Sequence, residues 1–402
     1  MCFLKKRYFA TITKYTQKII MKNIKQNPMY KYLLILTIAS AIGLHGWRTL
    51  FNNFAVDIIG LNGFQIGIIQ AIRELPGFLT LCAIFLLIFI KEHKLSAIAI
   101  ICMGIGIILT GYIPSFFGLI ITTLLMSFGF HYYESTNQSL ILQYFNKHNA
   151  PLVLGKQRSI MSLVCIIVGI SIFLLSSFLS YKIIFFSIGI LVFSTGIYSL
   201  FKNPIQKENN YQRKKIIIKK KYTLFYILTL LSGARRQIFM VFSILLLVKN
   251  FNFTIKQITL LFVINNIINY FVAPLVAKAI KKFGEKTILS SEYRSLIIIF
   301  IMYAFCPYKY LVTILYLLDH ISFNGAMAIR TYFQKIATQK DISSNTAISF
   351  TINHIAAIIL PVIGGYLWII NYKIPFIFGA ILSLISLITV QFIYIDKNLI
   401  AK

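Results

Sequence analysis

Long apolar runs alternate with short polar connections along almost the whole chain. A membrane-spanning helix needs about 20 consecutive, mainly apolar residues. Twelve segments meet this requirement, so the pattern predicts an all-α membrane protein with twelve transmembrane helices. These spans, numbered 1 to 12, lie near residues 32–58, 64–90, 95–113, 115–141, 159–179, 181–201, 223–248, 257–280, 287–306, 310–333, 344–370 and 373–395.

The connections divide the twelve spans into two groups of six. The connection 202–222, KNPIQKENNYQRKKIIIKKKY, is long and basic, whereas nearly all others are short. The groups are also weakly similar: QIG at 65–67 recurs as QIT at 257–259, and QYF at 143–145 as TYF at 331–333. Such similarity indicates duplicated, pseudo-symmetric halves. We therefore predict a basic N-terminal segment, a six-helix bundle, a basic linker, a second six-helix bundle and a tail, at 1–31, 32–201, 202–222, 223–396 and 397–402.

Composition and charge place the chain in a lipid bilayer. Hydrophobic residues make up 58% of the chain and charged residues 12%, whereas ordinary globular domains have about 45–50% and about 25%. A net charge of +30 suggests a nucleic-acid partner, but the basic residues lie between the spans. We expect the bilayer as a partner and no nucleic acid. We interpret the basic linker as a solvated segment that orients the protein in the membrane; the alternative is a binding site for anionic lipid or nucleic acid.

The positive residues also predict the orientation. If the N-terminus is cytoplasmic, cytoplasmic segments hold about 29 of the 40 Lys and Arg residues and outside loops about 5. Both termini are therefore expected in the cytoplasm, because positive loops resist translocation. The abundance of Ile, Lys, Asn, Phe and Tyr suggests an AT-biased genome. We expect a monomeric, multi-pass protein of a bacterial plasma (inner) membrane; a transit peptide is the alternative interpretation of the acid-free N-terminus.

The sequence contains no sign of a cofactor or metal site. The five cysteines are scattered and have no CxxC spacing, so they are interpreted as small apolar residues. A phosphate-binding loop of the type GxxxxGKS or GxxxxGKT is absent from the sequence, so ATP is not the expected energy source.

The twelve spans, the basic central linker and the paired halves resemble the major facilitator superfamily of secondary transporters over about residues 30–396. The local motifs are weaker. The family's loop between spans 2 and 3 usually reads like G-x-x-x-D-R-x-G-R-K, but here it is LIFIKEHKLS at 87–96. The matching loop of the second half, AKAIKKFGEKT at 277–287, lacks the acid and arginine pair. The resemblance implies that spans 1, 4, 7 and 10 line a central cavity; the departures argue against a well-marked drug-exporter branch.

Polar residues are concentrated in those four spans. An ionisable residue at the centre of a membrane helix costs about 2.5–3.5 kcal/mol, so it should face a partner or a water-filled cavity. Spans 3, 6 and 12 have no charged residue in their interiors. The polar residues of spans 1, 4, 7 and 10 are His45, Arg48, Asn52 and Asn53; His131, Glu134, Asn137 and Gln138; Arg235, Arg236 and Gln237; and Asp319, His320, Asn324 and Arg330.

Helical spacing predicts that several of these residues face one aqueous path. His131, Glu134 and Gln138 stand at i, i+3 and i+7, on one face of span 4. His320 and Asn324 stand at i and i+4 in span 10, with Asp319 beside them. A substrate site near the midplane, between the repeats, fits this arrangement.

The arginines suggest an anionic substrate. Arg48 and Arg235 or Arg236 occupy corresponding spans of the two halves, and guanidinium groups match carboxylate and phosphate. The predicted substrate-binding residues are Arg48, Arg235, Arg236, His131, Asn324 and His320. In the alternative interpretation, each arginine pairs permanently with Glu74, Glu134 or Asp319 and is structural.

Two carboxylates are candidates for proton coupling, and one pair is ambiguous. Glu134 and Asp319 could load and release protons when they are exposed alternately to either side. Arg73 and Glu74, close to Pro76, are interpreted either as gating residues or as a structural ion pair.

These observations predict a secondary transporter, not an enzyme, with no catalytic residue. It would move a small polar solute, expected to be an anion, by alternating access, coupled to protons or to solute exchange. The main alternative is a proton-coupled exporter of amphipathic or drug-like compounds, which would need a more apolar cavity. A membrane-embedded transferase that uses His320 with Asp319 or Asn324 is a remote alternative, because the connecting loops are too short to carry a catalytic site.

Overall fold

The computed structural model describes residues 23–205, 218–253 and 255–394. The basic segment before residue 23, most of the linker and the predicted tail 397–402 lie outside the described residues. Within these ranges the chain forms helices joined by short turns, without a β-strand.

Twelve described helices are long and apolar enough to cross a membrane, which confirms the all-α prediction. The first half contains α1 (Pro28–Ile58), α2 (Ile68–Leu86), α3 (Glu92–Tyr112), α4 (Phe116–Tyr144), α5 (Ala150–Leu175) and α6 (Tyr181–Leu200). The second half contains α7 (Lys220–Lys249), α8 (Leu260–Phe283), α9 (Glu285–Phe305), α10 (Lys309–Ile336), α11 (Gln339–Ile370) and α12 (Lys373–Gln391).

Helix α5 begins earlier than the apolar window predicts. Its first turn starts after Asn149, and Pro151 lies in that turn, where the missing N–H of proline costs no hydrogen bond. The polar residues 156–158 had excluded this part of the helix from span 5. As a consequence, Arg158 belongs to a membrane-crossing helix.

Helices α1 and α7 share the same irregularity. The α-helical hydrogen bonding changes to a π-helix at Phe54–Ile58 in α1 and at Phe239–Ser243 in α7. These helices occupy corresponding positions in the two halves, so the shared irregularity agrees with duplication. Such π-helical turns are frequent at functional sites.

The outer helices pack closely on the bundle and leave apolar side chains exposed. At Gly104 of α3, an added Cβ would lie 2.6 Å from the backbone nitrogen of Phe193 on α6. Only a glycine therefore allows the two backbones this approach. On the outer surface, Phe117 and Phe173 are 74% and 76% exposed, which is expected for side chains that face lipid.

The two halves are joined at the face of the bundle where α1 begins and α12 ends, called the terminal face below. Gln334 of α10 donates hydrogen bonds to the carbonyl oxygens of Leu142 and Phe145 of the first half, over 2.7 and 2.6 Å. Further hydrogen bonds between the halves include Ser343 Oγ to Glu92 Oε1 at 3.0 Å and, deeper in the bundle, Ser159 Oγ to the Tyr270 carbonyl at 2.7 Å. We call this set of contacts the seam.

Candidate functional site

A cavity of about 490 Å³ lies between the two halves. Helices α1, α2, α4 and α5 of the first half and α7, α10 and α11 of the second contribute side chains to it. The cavity walls contain five arginines, two glutamates and three histidines: Arg48, Arg73, Arg158, Arg236, Arg330, Glu74, Glu134, His131, His320 and His354.

The cavity carries an excess of positive charge. Its five arginines against two glutamates leave three positive charges in excess when the histidines are neutral. One arginine is neutralised locally, because Arg73 Nη2 lies 2.7 Å from Glu74 Oε1. This contact forms the ion pair that was one of the two interpretations of these neighbouring residues.

The other four arginines have no carboxylate partner. Within the described chain, Arg48, Arg158, Arg236 and Arg330 make no ion pair within 4.0 Å and no hydrogen bond. Glu134 makes none either, although Arg158 and Arg330 are among its electrostatic neighbours. Arg48 and Arg158 are solvent-accessible because they face the open space of the cavity. Four guanidinium groups therefore face the cavity with free hydrogen-bond donors.

The arginines lie at different depths. At 1.5 Å per residue, Arg158 lies about 12 Å along α5 from its start at the terminal face, and Arg330 about 9 Å before the end of α10. Arg48 lies about 30 Å along α1 from the same face. Arg158 and Arg330 thus form the part of the cavity nearest the seam, with Glu134 between them and the midplane.

One arginine of the predicted clamp is not in the cavity wall. Arg235 is fully buried inside the second half, where its Nη2 lies 3.9 Å from Glu292 Oε1 and its guanidinium carbon lies 4.1 Å from the ring centre of Tyr293. Arg236 lines the cavity. Neighbouring residues on a helix point about 100° apart, and the rotation of α7 that brings Arg236 to the cavity turns Arg235 toward the packed interior of the second half.

Two other predicted residues also lie behind the cavity wall. Asp319 is fully buried, and both its carboxylate oxygens lack a hydrogen-bond partner in the part of the chain that the structure describes. Asn324 donates from Nδ2 to Asn269 Oδ1 at 2.7 Å. The other predicted substrate-binding residues, Arg48, Arg236, His131 and His320, line the cavity, as does Glu134.

The family can be assigned once the fold and the cavity are described. The sequence profile of the Major Facilitator Superfamily matches residues 33–340. The chain belongs to the Major Facilitator Superfamily. A search of curated proteins found no significant match.

Solved structures of superfamily transporters share this fold at low sequence identity. The Escherichia coli fucose:proton symporter FucP has a TM-score of 0.74 at 12% identity, covering 90% of this chain and 98% of that one. The human organic anion transporter TETRAN has a TM-score of 0.68 at 10% identity, covering 90% and 99%. A bacterial homologue of the iron transporter ferroportin, in an outward-facing state, has a TM-score of 0.69 at 14% identity, covering 90% and 98%. At these identities the similarity establishes the fold alone.

Three ionisable residues of this superfamily member's cavity were not among the predicted site residues. Arg158 was missed because predicted span 5 begins only at residue 159, although Asn149 and Pro151 are signals of an earlier helix start. Arg330 is recognisable in the sequence as a polar residue of span 10, but its spacing does not assign it to the site. His354 of α11 reaches the cavity because α11 crosses next to α2 and α4, a proximity that one helix's sequence does not contain.

Proposed function

We propose that this protein is a secondary transporter that moves a small anionic solute across the membrane by alternating access. The observation that carries the proposal is the set of four cavity arginines that have no carboxylate partner among the described residues: Arg48, Arg158, Arg236 and Arg330. Burying unpaired charge is costly, so a site with this excess is best completed by an anion. Planar guanidinium groups bind carboxylate and phosphate through two parallel hydrogen bonds.

The cavity has a size and position that suit such a solute. Ligand sites of about 300–1,000 Å³ hold small molecules, and this cavity measures about 490 Å³. It also lies between the two repeats, where secondary transporters bind their substrates. Arg236 comes from the second half and Arg48 and Arg158 from the first, so one anion can contact both halves.

The seam supplies the gate in this proposal. In the predicted orientation the terminal face is cytoplasmic, so the closed seam corresponds to an outward-facing state. Arg330 and Gln334 stand one turn apart on α10, which connects an arginine near the seam to the hydrogen bonds with Leu142 and Phe145. When an anion contacts Arg330, movement of this turn weakens the seam, and the halves rock to open the cytoplasmic side.

Coupling to protons involves Asp319 and Glu134 in this proposal. Asp319 is buried with Glu292 and Arg235 as electrostatic neighbours, and Tyr303 and Tyr316 are close. Two carboxylates against one arginine leave a buried negative charge, which a proton neutralises. Glu134 lies in the cavity, where the anion competes with it for Arg158 and Arg330.

The alternative of an exporter of amphipathic compounds requires a more apolar cavity. The walls do include apolar side chains such as Phe130, Phe239 and Phe350, but five arginines also line them. Lipophilic cations would meet these like charges at close range. The anionic substrate is therefore the better match.

The test is anion binding and uptake by the purified protein. A thermal-shift screen would compare organic acids, phosphorylated metabolites and lipophilic cations, followed by uptake of the best anion into proteoliposomes. We expect anions to raise the melting temperature, because a ligand that binds the folded state stabilises it. The variant Arg158→Gln should lose this effect, and Arg294→Gln should keep it, because Arg294 is exposed on α9 away from the cavity.

Two results would contradict the proposal. Stabilisation by lipophilic cations, with none by any anion, would assign the protein to the exporter class. Equal losses of anion binding in Arg158→Gln and Arg294→Gln would show that the effect depends on overall charge and not on the cavity.

A further inference from the structure

Three potential metal ligands meet in the cavity from three different helices. Glu74 lies on α2, His131 on α4 and His354 on α11, and one ligand atom from each lies within 4.8 Å of the other two. Two of the helices belong to the first half and one to the second. The anion site proposed above consists of arginines and uses none of these three side chains.

His354 is held in the tautomer that a metal needs. Its Nδ1 lies 2.8 Å from the carbonyl oxygen of Phe350. A carbonyl only accepts hydrogen bonds, so Nδ1 carries the proton and Nε2 keeps a free lone pair. That Nε2 lies 3.9 Å from Glu74 Oε2. Metal-bound histidines commonly donate their other N–H to a carbonyl in this way.

Glu74 is oriented by a second contact of the same kind. Its Oε1 accepts a hydrogen bond from Arg73 Nη2 at 2.7 Å, which leaves Oε2 directed toward His354. The carboxylate therefore has one oxygen held by the protein and one available as a ligand. Carboxylates that bind metals are usually supported by such outer contacts.

His131 has an unused donor or acceptor in a buried position. His131 is 4% exposed, and its Nδ1 has no hydrogen-bond partner within the described ranges. The ring packs edge-on against the ring of His354, with 4.7 Å between the centres. A buried polar atom without a partner is unfavourable, and a ligand that occupies this position would remove the cost.

We propose that Glu74, His131 and His354 bind a divalent transition metal ion, and that the transported anion supplies the remaining coordination position. The cargo would then be an anionic metal complex, with its metal on these three side chains and its negative groups on the arginines. Two imidazoles and one carboxylate are a ligand set that suits borderline divalent ions such as Zn²⁺, Co²⁺ and Fe²⁺. The anionic part of this inference rests on the proposed function.

Electrostatics explains why the metal and the anion should bind together. A bare cation would be repelled by Arg48, Arg73 and Arg236, which line the same cavity. An anion that coordinates the metal offsets this repulsion and contacts the free guanidinium groups. Binding of either component should therefore strengthen binding of the other by the same factor.

The distances predict that metal binding changes the conformation. With bonds of about 2.0–2.1 Å, ligand atoms around a tetrahedral ion lie about 3.3–3.4 Å apart. The present separation between His354 Nε2 and Glu74 Oε2 is 3.9 Å. The metal would therefore draw α11 toward α2 by a few tenths of an ångström or more. These helices already meet nearby, where Leu81 N donates to Thr351 Oγ1 at 3.0 Å.

The metal site is tested with Co²⁺ as the probe. Purified protein is titrated with Co²⁺ while visible absorption is recorded, because bound tetrahedral Co²⁺ absorbs much more strongly than the hydrated ion. We expect the intense bands with the native protein and a loss of affinity of about tenfold or more in His354→Ala and in His131→Ala. The matched control is His148→Gln, which removes an exposed histidine outside the cavity and the cluster and should keep the affinity for Co²⁺.

Size-exclusion profiles and metal-free melting temperatures establish that each variant is folded. If folded His354→Ala and His131→Ala bind Co²⁺ as tightly as the native protein, or if the native protein gives only the weak spectrum of hydrated Co²⁺, the metal site is refuted. In that case the contact between His354 and Glu74 is only a link between the halves.

The composite cargo is tested separately with labelled citrate and labelled inorganic phosphate, each with and without Co²⁺. We expect Co²⁺ to increase retention of at least one of these anions in the native protein and not in His354→Ala. Anion retention that is independent of Co²⁺ would refute the composite cargo while the proposed function stands. Strong Co²⁺ binding without retention of either anion would also refute the composite cargo, while the metal site stands and the proposed function is decided by the separate anion screen.

Discussion

Neutralising two adjacent arginines should have opposite effects on binding and on stability. Arg236 lines the cavity and has no carboxylate partner in the described chain, whereas Arg235 is buried against Glu292 and Tyr293. The variant Arg236→Gln removes a free guanidinium group from the site and leaves the interior of the second half unchanged. Arg235→Gln leaves the carboxylates of Glu292 and Asp319 buried without their positive neighbour.

The magnitudes follow from the surroundings. A hydrogen bond to a charged group contributes about 1.5–3 kcal/mol, so Arg236→Gln should weaken anion binding about 10- to 150-fold, since 1.4 kcal/mol corresponds to a factor of ten. Removing one partner from a buried charge pair costs about 3–5 kcal/mol. Arg235→Gln should therefore lower the melting temperature clearly, and Arg236→Gln should change it little.

The assay combines anion titration with thermal unfolding in the same detergent. If Arg235→Gln does not yield folded protein, Arg235→Lys provides the measurement, because it keeps the positive charge and should recover most of the stability. The exposed Arg294→Gln is the control for a general charge effect. Finding that Arg235→Gln weakens anion binding while stability is unchanged, or that Arg236→Gln unfolds the protein, would refute the assignment of the two residues.

Three further predictions concern coupling, gating and packing. The variant Asp319→Asn should retain anion binding but lose uptake driven by a pH gradient, while exchange of anion against anion continues; loss of both activities would contradict a coupling role. Gln334→Ala removes two hydrogen bonds to Leu142 and Phe145, which together contribute about 1–3 kcal/mol. The seam should therefore open more often, and labelling of cysteines introduced near the terminal face should increase. Unchanged labelling would exclude the seam as the gate. Gly104→Leu should lower the melting temperature by more than a surface substitution does, because the backbone of α6 blocks its Cβ; normal stability would show that α3 and α6 can separate.

The sequence determined the number of helices and their approximate bounds. Each helix satisfies its own backbone hydrogen bonds in lipid, so a continuous apolar run is sufficient to specify it. Spacing within one helix is also readable from the sequence. His131 and Glu134 stand one turn apart, so the sequence predicts that they share one face of α4. Prediction was weakest at helix ends. The polar residues 156–158 excluded Arg158 from predicted span 5, although a membrane helix tolerates polar residues that face a cavity.

Only the tertiary structure decided which polar residues share the cavity. The rotation of α7 is set by its packing on neighbouring helices, and this rotation places Arg236 in the cavity and Arg235 in the interior. The cluster of Glu74, His131 and His354 joins residues up to 280 positions apart in the chain, from both halves. Hydrophobic spacing specifies each helix separately, but helix rotation and the contacts between halves depend on side chains that are distant in sequence, and these relations appear only when the bundle is assembled.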